Sequence, residues 1–208
     1  MHKLLDGFFS GKQTRVEVRQ QYLTEFLRNV VRQAPSDKIF KSYFQGGLQY
    51  LNTLEPPEFN VLATEEKISF QIGDIQMVGV IDVVGEHDGL LIVDHKSRSL
   101  KERSGRVKQT KSDRLLDEYL RQLYCYAVAV EEKYGDFPKT LVFNCFRTGK
   151  VISEPFNKDA FKETKDWVTK SVEKIACEKD FDPQIDDFKC KYLCDMHDYC
   201  DFYEKDRR

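Results

Sequence analysis

Two carboxylates and one amine stand close together between Gly79 and Lys96. This stretch reads GVIDVVGEHDGLLIVDHK, and its two apolar, strand-like runs end in Asp82 and Asp94, with Lys96 two positions later. Side chains alternate across a strand, so Asp94 and Lys96 share one face while His95 points to the other. Two carboxylates beside an amine at one sheet edge make a site for a hard cation, with a group that can act on water or on a phosphate.

The site requires the two runs to pair with each other. A hairpin around residues 86–89 would bring Asp82 beside Asp94 and Lys96. Facing carboxylates in a sheet repel, so a bound cation gives the two aspartates a reason to lie together. A D-x-K string alone is common at strand ends, and the G-x-x-D run from Gly79 to Asp82 strengthens its functional interpretation.

Three more side chains are candidates for the same site. Gln122 and Tyr126 stand four positions apart on a predicted helix and therefore share one of its faces. They either line the site, where they would position a carboxylate, the lysine or a DNA strand, or belong to an ordinary helix whose polar residue faces water. His2 is a candidate metal ligand through its neutral imidazole, although a residue beside a chain terminus is usually frayed.

Residues 97–114 form a polar, basic connection in a chain whose net charge is −2. That net charge argues against general affinity for nucleic acid but leaves room for a local basic surface. The segment either contacts phosphates or orders over a substrate, or it is a solvated loop. Two acidic residues, Glu102 and Asp113, stand among its seven cations, which are Arg98, Lys101, Arg103, Arg106, Lys108, Lys111 and Arg114.

Three of the six cysteines cluster near the end of the chain, at Cys190, Cys194 and Cys200. The sequence shows no secretory signal and no apolar run long enough for a transmembrane helix, so we expect a cytoplasmic protein without a membrane partner. In a reducing compartment such a cluster favours metal over disulfides. Three thiolates need a fourth ligand, which is His197 (favouring zinc), a scattered cysteine or a residue upstream; otherwise the three thiols are free.

The spacing of apolar residues predicts the elements that position these groups. Helices are predicted over residues 2–9, 14–34 and 37–53, and the prolines at 56 and 57 end this region. Strands follow over 59–72, 75–84 and 89–95, then a helix over 115–134, a strand over 140–147 with a short partner from Val151, and a helix over 157–177. This order predicts an α/β fold with a mixed sheet and, after Pro183, a cysteine-bearing tail.

The length of 208 residues predicts a single domain. Its parts are a helical N-terminal region (1–57), the site-bearing sheet with its crossover helix (58–156), and a C-terminal helix with the cysteine cluster (157–208). The amphipathic pattern begins at the first residues without a cap before it, so we expect native sequence upstream of Met1.

The ordered combination of these motifs resembles a known family. His2, the G-x-x-D ending at Asp82, the D-x-K of Asp94 and Lys96, a Q-x-x-x-Y element and the C-terminal cysteines follow the order of the RecB-like exonucleases. This family belongs to the PD-(D/E)xK nuclease superfamily and includes the nuclease domains of recombination exonucleases and the CRISPR-associated RecB-like exonucleases. The resemblance spans His2 to Cys200. It implies a restriction-endonuclease-like mixed central sheet flanked by helices, and hydrolysis of DNA phosphodiester bonds with Mg²⁺ or Mn²⁺.

The resemblance also implies roles for individual residues. His2, Asp82 and Asp94 would ligate the metal, and Lys96 would orient the attacking water and stabilise developing charge. The catalytic set would be Asp82, Asp94, Lys96, Gln122 and Tyr126. A role in recombination or repair, with protein partners from those processes, is implied in the same way.

The family also places a [4Fe–4S] cluster at the C-terminal cysteines. Cys190, Cys194 and Cys200 match three of its four ligands, and the fourth cysteine of the family lies upstream of the motif histidine, where this sequence has none. Asp94 stands where the family also frequently has glutamate. Two other classes of function fit the residues: a DNA-binding or partner-binding module that does not cleave, and a structural zinc protein.

Overall fold

The computed structural model of the protein describes residues 1–29, 36–181 and 183–205. A five-stranded sheet with strand order β1-β2-β3-β4-β5 lies at its centre. Neighbouring strands are antiparallel except for β3 and β4, which run parallel, so the sheet is mixed as predicted. The strands are β1 (Asn60–Ile72), β2 (Ile75–Glu86), β3 (Leu90–His95), β4 (Thr140–Cys145) and β5 (Lys150–Pro155).

Seven α-helices and one 3₁₀ helix are described around this sheet. They are α1 (His2–Phe9), α2 (Arg15–Asn29), α3 (Asp37–Asn52), α4 (Lys111–Tyr134), α5 (Lys158–Cys177), α6 (Asp187–Tyr192), the 3₁₀ turn His197–Tyr199, and α7 (Asp201–Lys205). Within the described ranges, no helix has the length and apolar character needed to cross a membrane.

The predicted hairpin between β2 and β3 is confirmed. The strands pair antiparallel from Glu86↔Leu90 to Val83↔Val93. The reversal needs left-handed backbone, which Gly89 (φ 129°) adopts readily and Asp88 (φ 53°) tolerates. This short turn fixes the register, and the register decides which side chains meet at the far end of the hairpin.

The crossover from β3 to β4 passes through α4, which covers one face of the sheet. Leu116, Leu120 and Leu123 of α4 pack in one buried cluster with Ile92 and Leu141. Burial of each such leucine contributes about 1.5–3 kcal/mol. Because side chains alternate along β3, Ile92 faces α4 while its neighbours face the other layer, and this alternation continues into the residues that follow.

The opposite face of the sheet carries the N-terminal helices. Leu91 and Val93 of β3 contact Phe9 of α1 in a second buried group. Leu5 of α1 is fully buried in a third group, with Phe146 just after β4. This packing ties the start of the chain to the edge of the sheet where β3 and β4 end.

Several predicted boundaries differ from the structure, by one to four residues. The helix predicted to begin at 115 begins at Lys111, because the hydroxyl of Thr110 and the carboxylate of Asp113 form a capping box. The strand predicted over 140–147 ends at Cys145. The tail, predicted without elements, holds α6, the 3₁₀ turn and α7. The last residues of the helix predicted over 14–34, from 30 onward, lie outside the described residues.

Candidate active site

Asp82 and Asp94 stand opposite each other at the end of the β2–β3 hairpin. The last ladder pair is Val83↔Val93, and the next position in the same register pairs the two aspartates. The main-chain N–H of His95 donates a hydrogen bond of 2.6 Å to Oδ2 of Asp82. The structure therefore brings the two predicted carboxylates to one end of the sheet, as the hairpin interpretation requires.

A chain of polar contacts runs from Asp94 onto α4. Lys96 Nζ lies 2.7 Å from Asp94 Oδ2 and donates a hydrogen bond of 2.9 Å to Gln122 Oε1. Gln122 Nε2 in turn donates to the Tyr126 hydroxyl at 2.7 Å. Because its amide N–H₂ is held by the tyrosine, Gln122 presents its oxygen to the ammonium group. The four motif residues thus form one connected set between the sheet and the helix.

A glycine makes room for the tyrosine at the end of this chain. A Cβ built on Gly79 of β2 would lie 2.8 Å from Cε1 of Tyr126, closer than real side chains approach. The motif glycine therefore lets the ring lie against the strand. The same ring is half-buried, and burial raises the pKa of its hydroxyl, which stays a neutral hydrogen-bonding group at physiological pH.

His2 reaches the site from α1. Its Nδ1 lies 3.2 Å from Oδ1 of Asp82. The edge of its ring meets His95 and Phe146, both at centroid distances of 6.0 Å. With Leu5 of the same helix fully buried, His2 is held in place by packing rather than frayed.

Sequence reasoning missed one acidic residue, Glu65 of β1. The register Thr64↔Val83 and Glu66↔Ile81 puts Glu65 opposite Asp82, and Glu65 has left-handed backbone with φ 46°. Ligand atoms of His2, Glu65 and Asp82 all lie within 4.8 Å of one another.

The tight turn at Gly73 contained the signal that would have identified Glu65. It sets Ile72 opposite Ile75, and counting outward from that pair reaches Glu65 and Asp82. The predicted ligand group of His2, Asp82 and Asp94 differs from the close group in the described structure. There Glu65, rather than Asp94, lies close to both His2 and Asp82.

The carboxylates of the site differ in their electrostatic environment. Burial raises the pKa of Asp94 to about 6, against the opposing effect of the Lys96 charge. Burial also acts on Asp82, but the hydrogen bonds from His2 and from the His95 N–H outweigh it and lower the pKa of Asp82. Burial and the Asp82 charge raise the pKa of Glu65. The pKa values of the two aspartates at this end of the hairpin therefore differ, and Asp82 ionises more readily than Asp94.

The two histidines also differ in charge state. The hydrogen bond to Asp82 raises the pKa of His2, whereas burial lowers the pKa of His95 to about 4. The Nδ1 of His95 lies 3.0 Å from Nδ2 of Asn144, so the neutral ring accepts a hydrogen bond there. His95 is thus a neutral supporting residue on the face away from Lys96.

The donor set fits a divalent cation. Carboxylate oxygens are the ligands that Mg²⁺ and Mn²⁺ prefer, and an imidazole nitrogen is accepted by transition metals. Glu65 and Asp82 supply oxygens beside the His2 nitrogen, and Asp94 adds a buried carboxylate across the hairpin. Like charges held this close favour a bound cation over mutual repulsion.

The basic segment divides into anchored and exposed parts. Residues 101–109 are exposed and form no helix or strand, whereas Lys111 and Arg114 lie in the first turn of α4, not in the predicted connection. Arg103, one of the predicted DNA-binding residues, pairs with Asp117 at 2.8 Å and with Glu154 at 3.0 Å. Its guanidinium is engaged within the protein. The other members of the predicted set, Arg98, Lys101, Arg106, Lys108 and Lys111, are exposed as well.

The cysteine tail does not close into a tight site. Among the described residues, the Sγ atoms of Cys190, Cys194 and Cys200 are not all within 4.8 Å of one another, whereas tetrahedral zinc would hold its thiolates about 4 Å apart. His197, the candidate fourth ligand, has its Nε2 2.9 Å from Asp198. The scattered Cys125 and Cys145 are buried in the sheet and α4 layers.

The comparison with known families gives one match. A model described as the PD-(D/E)XK nuclease superfamily matches residues 1–201 of the chain. The matched range includes His2, Glu65 and Asp82 as well as the connected residues Asp94, Lys96, Gln122 and Tyr126. No curated protein matches the chain.

Proposed function

The chain belongs to the PD-(D/E)XK nuclease superfamily. On that premise, we propose that it is a metal-dependent DNA exonuclease of the RecB-like type. The observation that carries this proposal is an unbroken series of polar contacts from Asp94 through Lys96 and Gln122 to Tyr126. It lies beside the possible metal-binding group of His2, Glu65 and Asp82. A domain that only binds DNA has no need for an ammonium group held between a buried carboxylate and an oriented amide.

The metal would be Mg²⁺ or Mn²⁺, held by Asp82, Asp94 and His2 with Glu65 as a further ligand. When bound, such an ion polarises a phosphate and makes a nucleophile of water at neutral pH. Asp82 is suited to this role because its pKa is lowered. His2 is fixed by its contact with the Asp82 carboxylate.

Lys96 would act on the phosphate directly. Its ammonium group is placed by the Asp94 carboxylate on one side and the Gln122 oxygen on the other. A cation fixed in this way stabilises the negative charge that develops on the phosphate without first having to reorganise. Tyr126 is a positioning residue, since it holds the Gln122 amide in the orientation that Lys96 requires.

The Q-x-x-x-Y element supports the RecB-like subfamily within the superfamily. Gln122 and Tyr126 form its two ends, and their contacts give the spacing a physical purpose. A role in DNA recombination or repair, with partners from those processes, follows from the same resemblance and forms part of the proposal.

The cysteine tail is proposed to hold a [4Fe–4S] cluster, with zinc as the alternative. Cys190, Cys194 and Cys200 would be three ligands, and the fourth is not identified. Iron, acid-labile sulfide and zinc should be measured in anaerobically purified protein and in the Cys194→Ser variant. Absence of all three from the parent would reject a metal in the tail.

The decisive experiment is cleavage of end-labelled linear DNA with Mg²⁺ or Mn²⁺. We expect metal-dependent release of label by the parent, a loss of at least about a hundredfold in Lys96→Ala, and full activity in the matched Lys170→Ala variant on exposed α5. A labelled closed circle should resist an exonuclease. DNA binding without cleavage by the parent would instead support a non-cleaving module, and full activity in Lys96→Ala would reject the role given to the lysine.

A further inference from the structure

A basic groove lies beside the candidate active site and plays no part in the mechanism above. It has a volume of about 910 Å³ and runs between α3 and the turn that joins β4 to β5. Its cations are Lys38, Lys41 and Arg147, and none of the described residues that line it is a carboxylate. This is unexpected for a chain with 35 acidic residues and a net charge of −2. The groove is a local positive surface on a slightly acidic protein.

One wall of the groove is a single polar face of α3. Lys38, Lys41, Gln45 and Gln49 recur at three-residue and four-residue intervals and therefore line up along the helix. Ammonium and amide groups in a row are donors suited to successive phosphates of a strand. The face also explains why polar residues alternate with the buried positions of this amphipathic helix.

The other wall is held close to α3 by a glycine and a ring. A Cβ on Gly46 would lie 3.2 Å from the main-chain oxygen of Arg147, so the bare glycine permits the approach. The Arg147 guanidinium lies 3.9 Å from the centroid of the Tyr43 ring. This stacking orders the side chain and leaves its positive charge in place, whereas a carboxylate partner would neutralise that charge. Arg147 therefore keeps N–H donors for an anion.

The groove is connected to the site by the segments that follow the parallel strands β3 and β4. Ser99, which lines it, stands three positions after Lys96, and Arg147 stands three positions after Asn144. The main-chain oxygen of Asn144 accepts a hydrogen bond from the Lys96 N–H. The exposed cations Arg98 and Lys101 flank Ser99, so the positive surface continues from the groove into the basic segment.

We propose that this groove binds the phosphate backbone of a single nucleic-acid strand that continues into the active site. The inference rests on the proposed function for what happens at the far end of the strand. The volume is within the range of sites that hold a drug-sized ligand, which leaves room for one or two nucleotides of a strand. The cations supply affinity for phosphate and the amides supply hydrogen bonds, with no requirement for a particular base.

The test is binding of a fluorescent oligonucleotide of about twelve nucleotides, measured by anisotropy in EDTA so that no cleavage occurs. The groove variant is Lys38→Gln/Lys41→Gln, and the matched control is Lys170→Gln/Lys174→Gln, which removes the same charge from exposed α5. At about 0.1 M salt we expect the groove variant to bind about tenfold more weakly. The slope of log K against log salt concentration should fall by about 1.4, because each phosphate contact with a single strand contributes about 0.7. The control should match the parent, and unchanged melting temperatures would show that both variants fold.

The outcomes separate this inference from the proposed function. Equal binding by the two double variants, or no binding by the parent, overturns the groove assignment even if the parent cleaves DNA. A selective loss in the groove variant supports the assignment even if the parent cleaves nothing. If Lys38→Gln/Lys41→Gln weakens the binding of a duplex as much as the binding of a single strand, the preference for a single strand is overturned. Equal competition by an acidic peptide of the same charge overturns the assignment to nucleic acid.

Discussion

The His95 N–H donates its 2.6 Å hydrogen bond to the side chain of Asp82, not to a main-chain oxygen of β2. The β2–β3 ladder pairs end at Val83↔Val93, and beyond that point a carboxylate holds the two strands together. A proposed metal ligand is thus also part of the sheet. Its chemical and structural roles must be separated by the choice of substitution.

Asp82→Ala and Asp82→Asn should separate these roles. Asparagine keeps an oxygen that accepts from the His95 N–H, whereas alanine leaves that N–H without its partner. We expect Asp82→Ala to lower the free energy of unfolding by about 2 kcal/mol and Asp82→Asn to lose much less, with both losing metal binding. Urea unfolding in EDTA measures the first quantity and Mn²⁺ titration the second. Equal stability of the two variants would contradict the structural role.

Glu65→Gln should weaken metal binding without removing the fold. The substitution keeps the size of a side chain whose oxygens lie within 4.8 Å of those of Asp82 and of the His2 nitrogen, but it removes a charge. We expect Mn²⁺ affinity to fall by about tenfold or more, as read from the electron paramagnetic resonance of free Mn²⁺. Glu86→Gln, at the exposed end of β2, is the matched control. Parent-like affinity in Glu65→Gln would exclude it as a ligand.

Asp94→Asn should change how stability depends on pH. Burial raises the pKa of Asp94 from 3.8 to about 6, so between these values the folded protein holds a proton that the unfolded chain has released. The free energy of unfolding therefore falls as pH rises through this window. His95, whose pKa is lowered from 6.5 to about 4, acts oppositely, because its unfolded form binds the extra proton. The two effects offset each other in the parent.

Removing the Asp94 carboxylate should expose the effect of His95. The gain in unfolding free energy from pH 4 to pH 7 should be larger in Asp94→Asn than in the parent by about 2 kcal/mol. Urea unfolding in EDTA at both pH values measures this difference. Asp166→Asn on exposed α5 should follow the parent. A pH profile of Asp94→Asn that coincides with the parent's would contradict the raised pKa.

Arg103 and its exposed neighbours should respond differently to substitution. Arg103→Gln removes two ion pairs that fasten the basic segment to α4 and β5, so we expect a melting temperature lower by about 3 °C. DNA affinity should stay within about twofold of the parent. Lys101→Gln/Lys108→Gln should instead keep the melting temperature and reduce the salt slope of DNA binding by about 1 or more. The reverse pattern would mean that Arg103 leaves its carboxylates to bind phosphate.

Local sequence patterns predicted the helices and strands around the site more accurately than they predicted which residues form the site. The D-x-K spacing correctly predicts that Asp94 and Lys96 share a face, because strand alternation is a local rule. The contact of His2 with Asp82 depends on where α1 packs, which no local pattern encodes. Glu65 was missed because its place depends on a register set several residues away, at Gly73.

The boundary of α4 was missed for a different reason. Asp113 was counted as one charge among many in a basic stretch, yet it is buried and accepts hydrogen bonds from Ser104 and Thr110. A capping box can be read from sequence only when Thr110 and Asp113 are considered as a pair. The short elements of the tail span one or two turns, too few for an apolar period to stand out.

The fit between Gly79 and the Tyr126 ring has a consequence for how this protein can vary over evolution. A side chain at position 79 would displace the ring, and the ring orients the Gln122 amide that faces Lys96. The glycine of one motif and the tyrosine of another are therefore under joint selection, although they lie far apart in the chain. Among homologous sequences, the two positions should covary: a larger residue at 79 should be inherited only together with a smaller one at 126.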